Sequence, residues 1–186
     1  MITYEVNKAD IARVQKKLGN LKSKAPIVIK NAINKTAKDA RSEIASGLQA
    51  AYTVKIGGIT SRIPIQYATA GNLVAILRSR DRTLTVPRFS YRGNKKGIGG
   101  AAAGADIVRS GIKPIQMDNI KAFKRGGLIM QRRGPERLPV KVLRSNSVPK
   151  MVEKVYKGER GLKGALDEPI KKSLHDNISA EIAKLI

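Results

Sequence analysis

Apolar positions along the chain change their period twice. Ile11, Val14, Leu18 and Leu21 recur at spacings of three and four, which predicts an amphipathic helix. Gly19–Asn20 weakens its end. A second, longer helix is predicted from about Ser23, with Pro26 in the first turn, where a missing N–H is tolerated. Its apolar stripe is Ile29, Ile33, Ala37, Ala40, Ile44 and Leu48, with Lys30, Lys35, Lys38 and Arg41 off the stripe. About 26 helical residues would span about 39 Å, so this helix must lie on a sheet or on a neighbouring subunit.

Beyond Ala51 the period falls to two. Tyr52–Ile56 and Arg62–Ala68 alternate, and Asn72–Ser79 (NLVAILRS) carries the strongest strand pattern in the chain. Leu84–Arg88 and Asp106–Arg109 have short strand character. Lys121–Lys124 and Leu128–Arg132 flank Arg125–Gly126–Gly127, which suits a hairpin. Gly57–Gly58, Gly71–Asn72 and Asp81–Arg82 supply turns. Helical periodicity then returns. Ser147 is placed to cap a helix whose first turn holds Val148–Pro149. Gly158, Gly161 and Gly164 end that helix, and Asp167–Glu168–Pro169 opens another, with Ile170, Leu174, Ile178, Ile182 and Leu185 on one face.

Helices, then strands, then helices give an α+β fold: a long N-terminal amphipathic helix, a central, mainly antiparallel β-sheet, and C-terminal helices. One domain is expected over 1–186, helical over 1–51, β-rich over 52–146 with a flexible loop at 93–104, and helical over 147–186.

Charge sharpens this picture. The 186 residues carry 37 Lys and Arg against 14 Asp and Glu, a formal charge of +23. Residues 51–150 hold +16 of it, whereas residues 151–186 are nearly neutral. Such an excess favours polyanions through counterion release. The charge concentrates in 131–151, QRRGPERLPVKVLRSNSVPKM, which has six basic residues, one acidic residue and three prolines. MITYEVNKAD lacks a charged segment followed by an apolar run, so no signal peptide is expected. No uncharged apolar run approaches the length of a membrane span, so no membrane association is expected.

Catalytic chemistry finds little material. Cysteine is absent, which removes disulfides, thiolate–zinc sites and thiol nucleophiles. The single histidine, His175, neighbours Asp176, but adjacent residues on a helix do not face each other. Asp81, Asp106, Asp118 and Glu136 are the only carboxylates in 51–150, without paired spacing, and Asp81 suits a turn with a local ion pair. In GNKKGIGGAAAG (93–104) Lys95 and Lys96 precede Gly97 and no Lys–Ser/Thr pair follows, so a nucleotide-cradling loop is not expected. The chain reads as a non-enzyme without cofactor or metal. Base-reading motifs are missing too, so nucleic-acid contact is expected at phosphate. Tyr67, Phe89, Tyr91 and Phe123 are the candidate stacking rings.

The ordered series Ala32–Ile33–Asn34–Lys35–Thr36–Ala37–Lys38–Asp39–Ala40–Arg41, Tyr52–Thr53–Val54–Lys55, Ala68–Thr69 to Asn72–Leu73–Val74–Ala75, Ala122–Phe123, Arg132–Arg133, Glu136–Arg137–Leu138–Pro139–Val140–Lys141 and Ser147–Val148–Pro149–Lys150–Met151 resembles the minor tail protein Z family of tailed bacteriophages and prophages, also described as tail completion proteins. The resemblance covers about residues 25–185. Arg144–Ser145–Asn146 and the glycine-rich 93–104 segment depart from it. It implies a virion protein of the tail or neck, present in host cytoplasm during assembly. It implies a homo-oligomeric ring, expected to be a hexamer, around the DNA channel at the head-proximal end of the tail. Implied partners are the tail terminator, the head–tail connector and double-stranded DNA. On this reading Lys95, Lys96, Arg132, Arg133, Arg137, Lys141 and Arg144 meet DNA or a neighbouring subunit, and Pro135, Leu138, Pro139, Val148 and Pro149 form a stiff interface strap. The alternative is a freestanding basic nucleic-acid-binding protein.

Overall fold

The computed structural model describes residues 2–5, 8–55, 57–93, 102–117, 119–160 and 164–185. In chain order the elements are β1 (Ile2–Glu5), α1 (Lys8–Leu18), α2 (Ala25–Ala51), β2 (Ile65–Gln66), β3 (Val74–Leu77), β4 (Ser90–Arg92), β5 (Gly104–Asp106), β6 (Lys113–Pro114), β7 (Gln116–Met117), β8 (Ile120–Lys121), β9 (Phe123–Arg125), β10 (Leu128–Arg132), β11 (Val140–Val142), α3 (Val148–Tyr156) and α4 (Asp167–Ala183). The fold is α+β.

The axis of the molecule is α2. Its 27 residues begin with Pro26 in the first turn, and every member of the expected stripe, from Ile29 to Leu48, is buried. The helix ends where Tyr52 turns extended while its N–H still donates to the Leu48 carbonyl at 2.9 Å. On this stripe pack α1, α3, α4, β1 and β3. Val14 and Leu18 of α1 are buried as their spacing predicts, and Gly19–Lys24 forms a 3-10 link rather than more α-helix. The Leu21 side chain lies outside the described residues.

Buried polar groups fix the register of the helices. Asn177 of α4, 7% exposed, donates from Nδ2 to the Thr36 hydroxyl of α2 at 2.9 Å. Unpaired, either group would carry a desolvation penalty, so the bond specifies where α4 docks. At α3 the expected cap is present: the Ser147 hydroxyl accepts from the Lys150 N–H at 3.4 Å, with Pro149 in the first turn.

Among the described residues a single central sheet does not form. The strands build three three-stranded sheets, ordered β1-β3-β2, β4-β5-β6 and β9-β10-β11, plus the pair β7-β8, and every pairing is antiparallel. Strands of two to five residues present too few backbone groups to bridge into one ladder. Among the described residues two expected strands do not form. Over 52–55 the chain is extended but its N–H groups go singly to other segments, Thr53 to the Ile107 carbonyl and Lys55 to the Arg88 carbonyl; Ile56 lies outside the described residues. Val86–Arg88 is a 3-10 turn, because Pro87 has no N–H for a ladder. The strand expected at Asp106–Arg109 sits earlier, at Gly104–Asp106, and Arg109 takes a positive φ of 51°. The 125–128 hairpin forms as expected, with Gly126 and Gly127 at φ 54° and 76°, values that favour glycine.

Two hydrophobic clusters form among the described residues. The larger surrounds α2 and includes Phe89; the smaller is Val86, Ala103, Ala105, Ala122 and Ile129 under the β5 and β10 strands. Ile107 packs against both.

Candidate nucleic-acid interface

The basic segment begins inside β10. Ile129 and Gln131 are buried, so they point to the smaller cluster, and Leu128, Met130 and Arg132 point away. Gln131 stands opposite Lys141, and Arg132 stands opposite Val140. Directly opposed residues share a face. Arg132 and Lys141 therefore leave the sheet on opposite sides, although the sequence groups them together.

Residues 133–139 form the loop between β10 and β11, closed by Arg133 N–H donating to the Pro139 carbonyl at 3.0 Å. The Leu138–Pro139 peptide is cis. Arg133, Pro135, Glu136, Arg137, Leu138 and Pro139 are all exposed, Leu138 by 66%. Among the described residues no carboxylate lies within ion-pair distance of Arg132, Arg133, Arg137 or Lys141. The loop thus presents two arginines and a leucine to its surroundings, with two prolines limiting the backbone.

The other members of the expected set are dispersed. Arg144 is exposed, but its guanidinium donates to the Thr83 carbonyl at 3.2 Å and its backbone bridges Thr85, so it ties β11 to the 83–86 segment. Val148 is 2% exposed in the large cluster and is a core residue, not an interface one: the first turn of α3 points it at α2. Pro149 is half-buried and, with Ile2, Leu77, Val152 and Tyr156, lines a cavity of about 370 Å³ between β1, β3 and α3 that also holds a buried Ser79 hydroxyl. Lys95 and Lys96 lie outside the described residues, as does Asp118. Asp81 pairs with Arg62 at 2.9 Å and accepts from the adjacent Arg82 N–H at 2.8 Å, so its ion-pair partner is distant in sequence.

Of the four candidate rings, Phe89 is fully buried and closed to stacking. Tyr91 is half-buried with the Lys124 ammonium 5.4 Å from its centroid, and Phe123 is half-buried on β9. Tyr67 alone is well exposed, at 46%. It lies beside α2, where Lys30, Asn31, Asn34, Lys35 and Lys38 complete an open groove of about 530 Å³. The sequence marks these lysines as off the stripe and Tyr67 as a ring, but nothing in it indicates that they meet, because they are 29 or more positions apart.

The C-terminal region differs in electrostatic character, with Glu153, Asp167, Glu168 and Glu181 tied into local pairs. Glu153 is held by Lys157 at 2.8 Å and Lys150 at 3.0 Å, and these ammoniums lower its carboxyl pKa to about 2. A depressed folded-state value means that the pairing is present above the usual 4.5 and is lost as pH falls through about 2. Following the Glu153 carboxyl carbon by NMR is expected to place its midpoint near 2, and Lys157→Met is expected to move it toward the ordinary value. Lys171 similarly lowers Asp167, and Lys184 lowers Glu181. His175 is exposed on α4, at a hollow shared with Asp10, Arg13 and Lys17 of α1.

Among the described residues no group of three or more His, Asp or Glu side chains is placed to hold a metal ion, and no helix is long and apolar enough to cross a membrane. Comparison with protein-family models, with curated proteins and with solved structures found no match.

Proposed function

We propose that this chain is a structural subunit of a tailed-phage tail or neck, a tail-completion component that assembles as a ring at the head-proximal end and contacts the DNA in its channel through phosphates. The observation that carries the reading is the 133–139 loop: exposed Arg133 and Arg137 without an ion-pair partner among the described residues, on a backbone that also holds Pro135 and Pro139. A contact surface that is already ordered loses less entropy when it is covered, and prolines reduce that loss. The ordered motif series adds support, as does the +16 charge of residues 51–150. Assembly rather than catalysis is the role, with other tail and neck proteins as neighbours in the virion.

The test is charge reversal. Arg133→Glu/Arg137→Glu is expected to leave the thermal midpoint nearly unchanged, because exposed substitutions shift stability by less than about 0.5 kcal/mol. The yield of infectious particles, or DNA retention in them, is expected to collapse. On isolated protein the slope of log K for duplex DNA against log salt should shrink by about 2, roughly 0.9 for each phosphate that is no longer neutralised. Unchanged particle yield would reject the role of this loop.

The second reading, a freestanding nucleic-acid-binding protein, is favoured by a different observation, the exposed ring and lysines beside α2. Under it the isolated monomer binds DNA tightly, and particle assembly does not depend on it.

A further inference from the structure

We propose that the groove beside α2 is a separate binding site for single-stranded nucleic acid, in which Tyr67 stacks on an unpaired base and Lys30, Lys35 and Lys38 take the adjoining phosphates. This site is independent of the ring reading, and its occupant is a strand whose bases are free, not a duplex.

The backbone that carries Tyr67 is held in place. Asn34 Oδ1 accepts from the Ala68 N–H at 2.7 Å, and its Nδ2 donates to the Ala68 carbonyl at 3.0 Å. This two-bond clamp fastens the residue after Tyr67 to the middle of α2. The next residues close a tight turn, with Thr69 and Asn72 exchanging backbone bonds at 2.9 and 3.2 Å. The backbone at Tyr67 is therefore positioned before any ligand arrives, which lowers the cost of stacking on its ring.

Charge in the groove is positive: among the described residues no carboxylate lies within ion-pair distance of Lys30, Lys35 or Lys38, although Glu181 is within electrostatic reach of Lys35. Lys30 and Lys38 are eight residues apart, about 12 Å along the helix at 1.5 Å per residue, with Lys35 between them. The carboxylate that reaches this side is Glu181 of α4, which accepts from Asn31 at 3.2 Å and is ion-paired with Lys184. The Lys38 ammonium stands 5.7 Å from the Tyr67 centroid, near the outer limit of a cation–π contact and weak at an exposed ring. An arriving base can take its place on the ring, and the displaced ammonium is then free to meet the phosphate beside that base.

Selectivity follows from the geometry of stacking. A base in a duplex has both faces covered by its neighbours, so an exposed side-chain ring on a helix flank has nothing to stack on. An unpaired base offers a free face, and stacking on an aromatic side chain tolerates any sequence.

Fluorescence anisotropy with a labelled oligo-dT, an abasic strand of the same length, and the matching duplex provides the test. Wild-type protein is expected to bind oligo-dT about tenfold more tightly than the abasic strand, the size usual for one stacked base. Tyr67→Ala should bring oligo-dT down to the abasic level and leave the abasic strand and the duplex unchanged. Tyr67→Phe should retain wild-type behaviour. Lys35→Gln/Lys38→Gln should weaken oligo-dT and abasic strand alike. Equal wild-type affinity for oligo-dT and the abasic strand would overturn the proposal, as would a Tyr67→Ala variant that binds oligo-dT like wild type or loses both strands equally. Arg133→Glu/Arg137→Glu, which tests the duplex contact, should leave the oligo-dT preference over the abasic strand intact.

Discussion

Phe89→Ala is expected to cost about 3–5 kcal/mol, enough to consume much of the 5–15 kcal/mol that holds a typical domain folded. Phe89 is fully buried and belongs to the large cluster. The 3-10 turn at Val86–Arg88 sends Val86 into the smaller cluster and Phe89 into the larger one, three residues apart. Losing the ring leaves a cavity at the junction, and Pro87 limits how far the backbone can follow to fill it. Urea unfolding measured by circular dichroism should show a lower midpoint with an unchanged slope. Phe89→Leu, which keeps most of the volume, should cost roughly 1.5 kcal/mol or less. Equal losses for the two variants would mean that packing at this position is not what Phe89 supplies.

Gly158→Ala is the second substitution with a large expected effect, about 2–5 kcal/mol. Gly158 has a φ of +71°, and an added Cβ would stand 2.2 Å from the Gly164 carbonyl carbon and 2.5 Å from the Ala165 nitrogen. The left-handed backbone alone costs an L-residue roughly 1–2 kcal/mol. The clash adds about 1–3 kcal/mol, because what must move is backbone rather than the end of a side chain. The approach is close because the chain folds back here, with the Leu166 N–H donating to the Tyr156 carbonyl at 2.9 Å before α4 begins. Gly126→Ala provides the control. Its φ is +54° but nothing lies within 4 Å of the added Cβ, so only the backbone cost remains. If the two variants unfold at the same denaturant concentration, the close approach at Gly158 carries no energetic weight.

The helical part was the most legible in the sequence. A 27-residue helix repeats its stripe over seven turns, so chance matches are suppressed, and all six stripe residues are buried. Local chemistry was equally readable: the Ser147 cap and the Gly126–Gly127 turn depend on residues a few positions apart. Pairing between distant segments was not. β1 is a four-residue strand whose partner is β3, about 70 positions away, and no turn signal connects them. The expected central sheet became several small ones because alternation marks which residues face in but not which strands meet.

The candidate site divides along the same line. That residues 131–144 form a basic, proline-punctuated segment was visible; that Arg132 and Lys141 diverge was not, since it follows from the Gln131–Lys141 register. Val148 stands beside Pro149 in the sequence as part of a strap, but helical geometry turns it into the core. The groove at Tyr67 depends on the clamp between Asn34 and Ala68, a contact 34 positions long that composition and periodicity do not reveal.

The smaller cluster is built on three alanines, one valine and one isoleucine. Even with the partly buried Tyr91, Ile107, Ile115 and Leu143 against it, less apolar surface leaves water there than around α2, so less free energy is stored beneath the strands that carry the arginine loop. The helices around α2 are anchored by a much larger apolar interior. The short strands can therefore bend, reseat or detach locally at modest expense while the helical frame keeps its shape, which makes the loop-bearing side the compliant half of a stiff body.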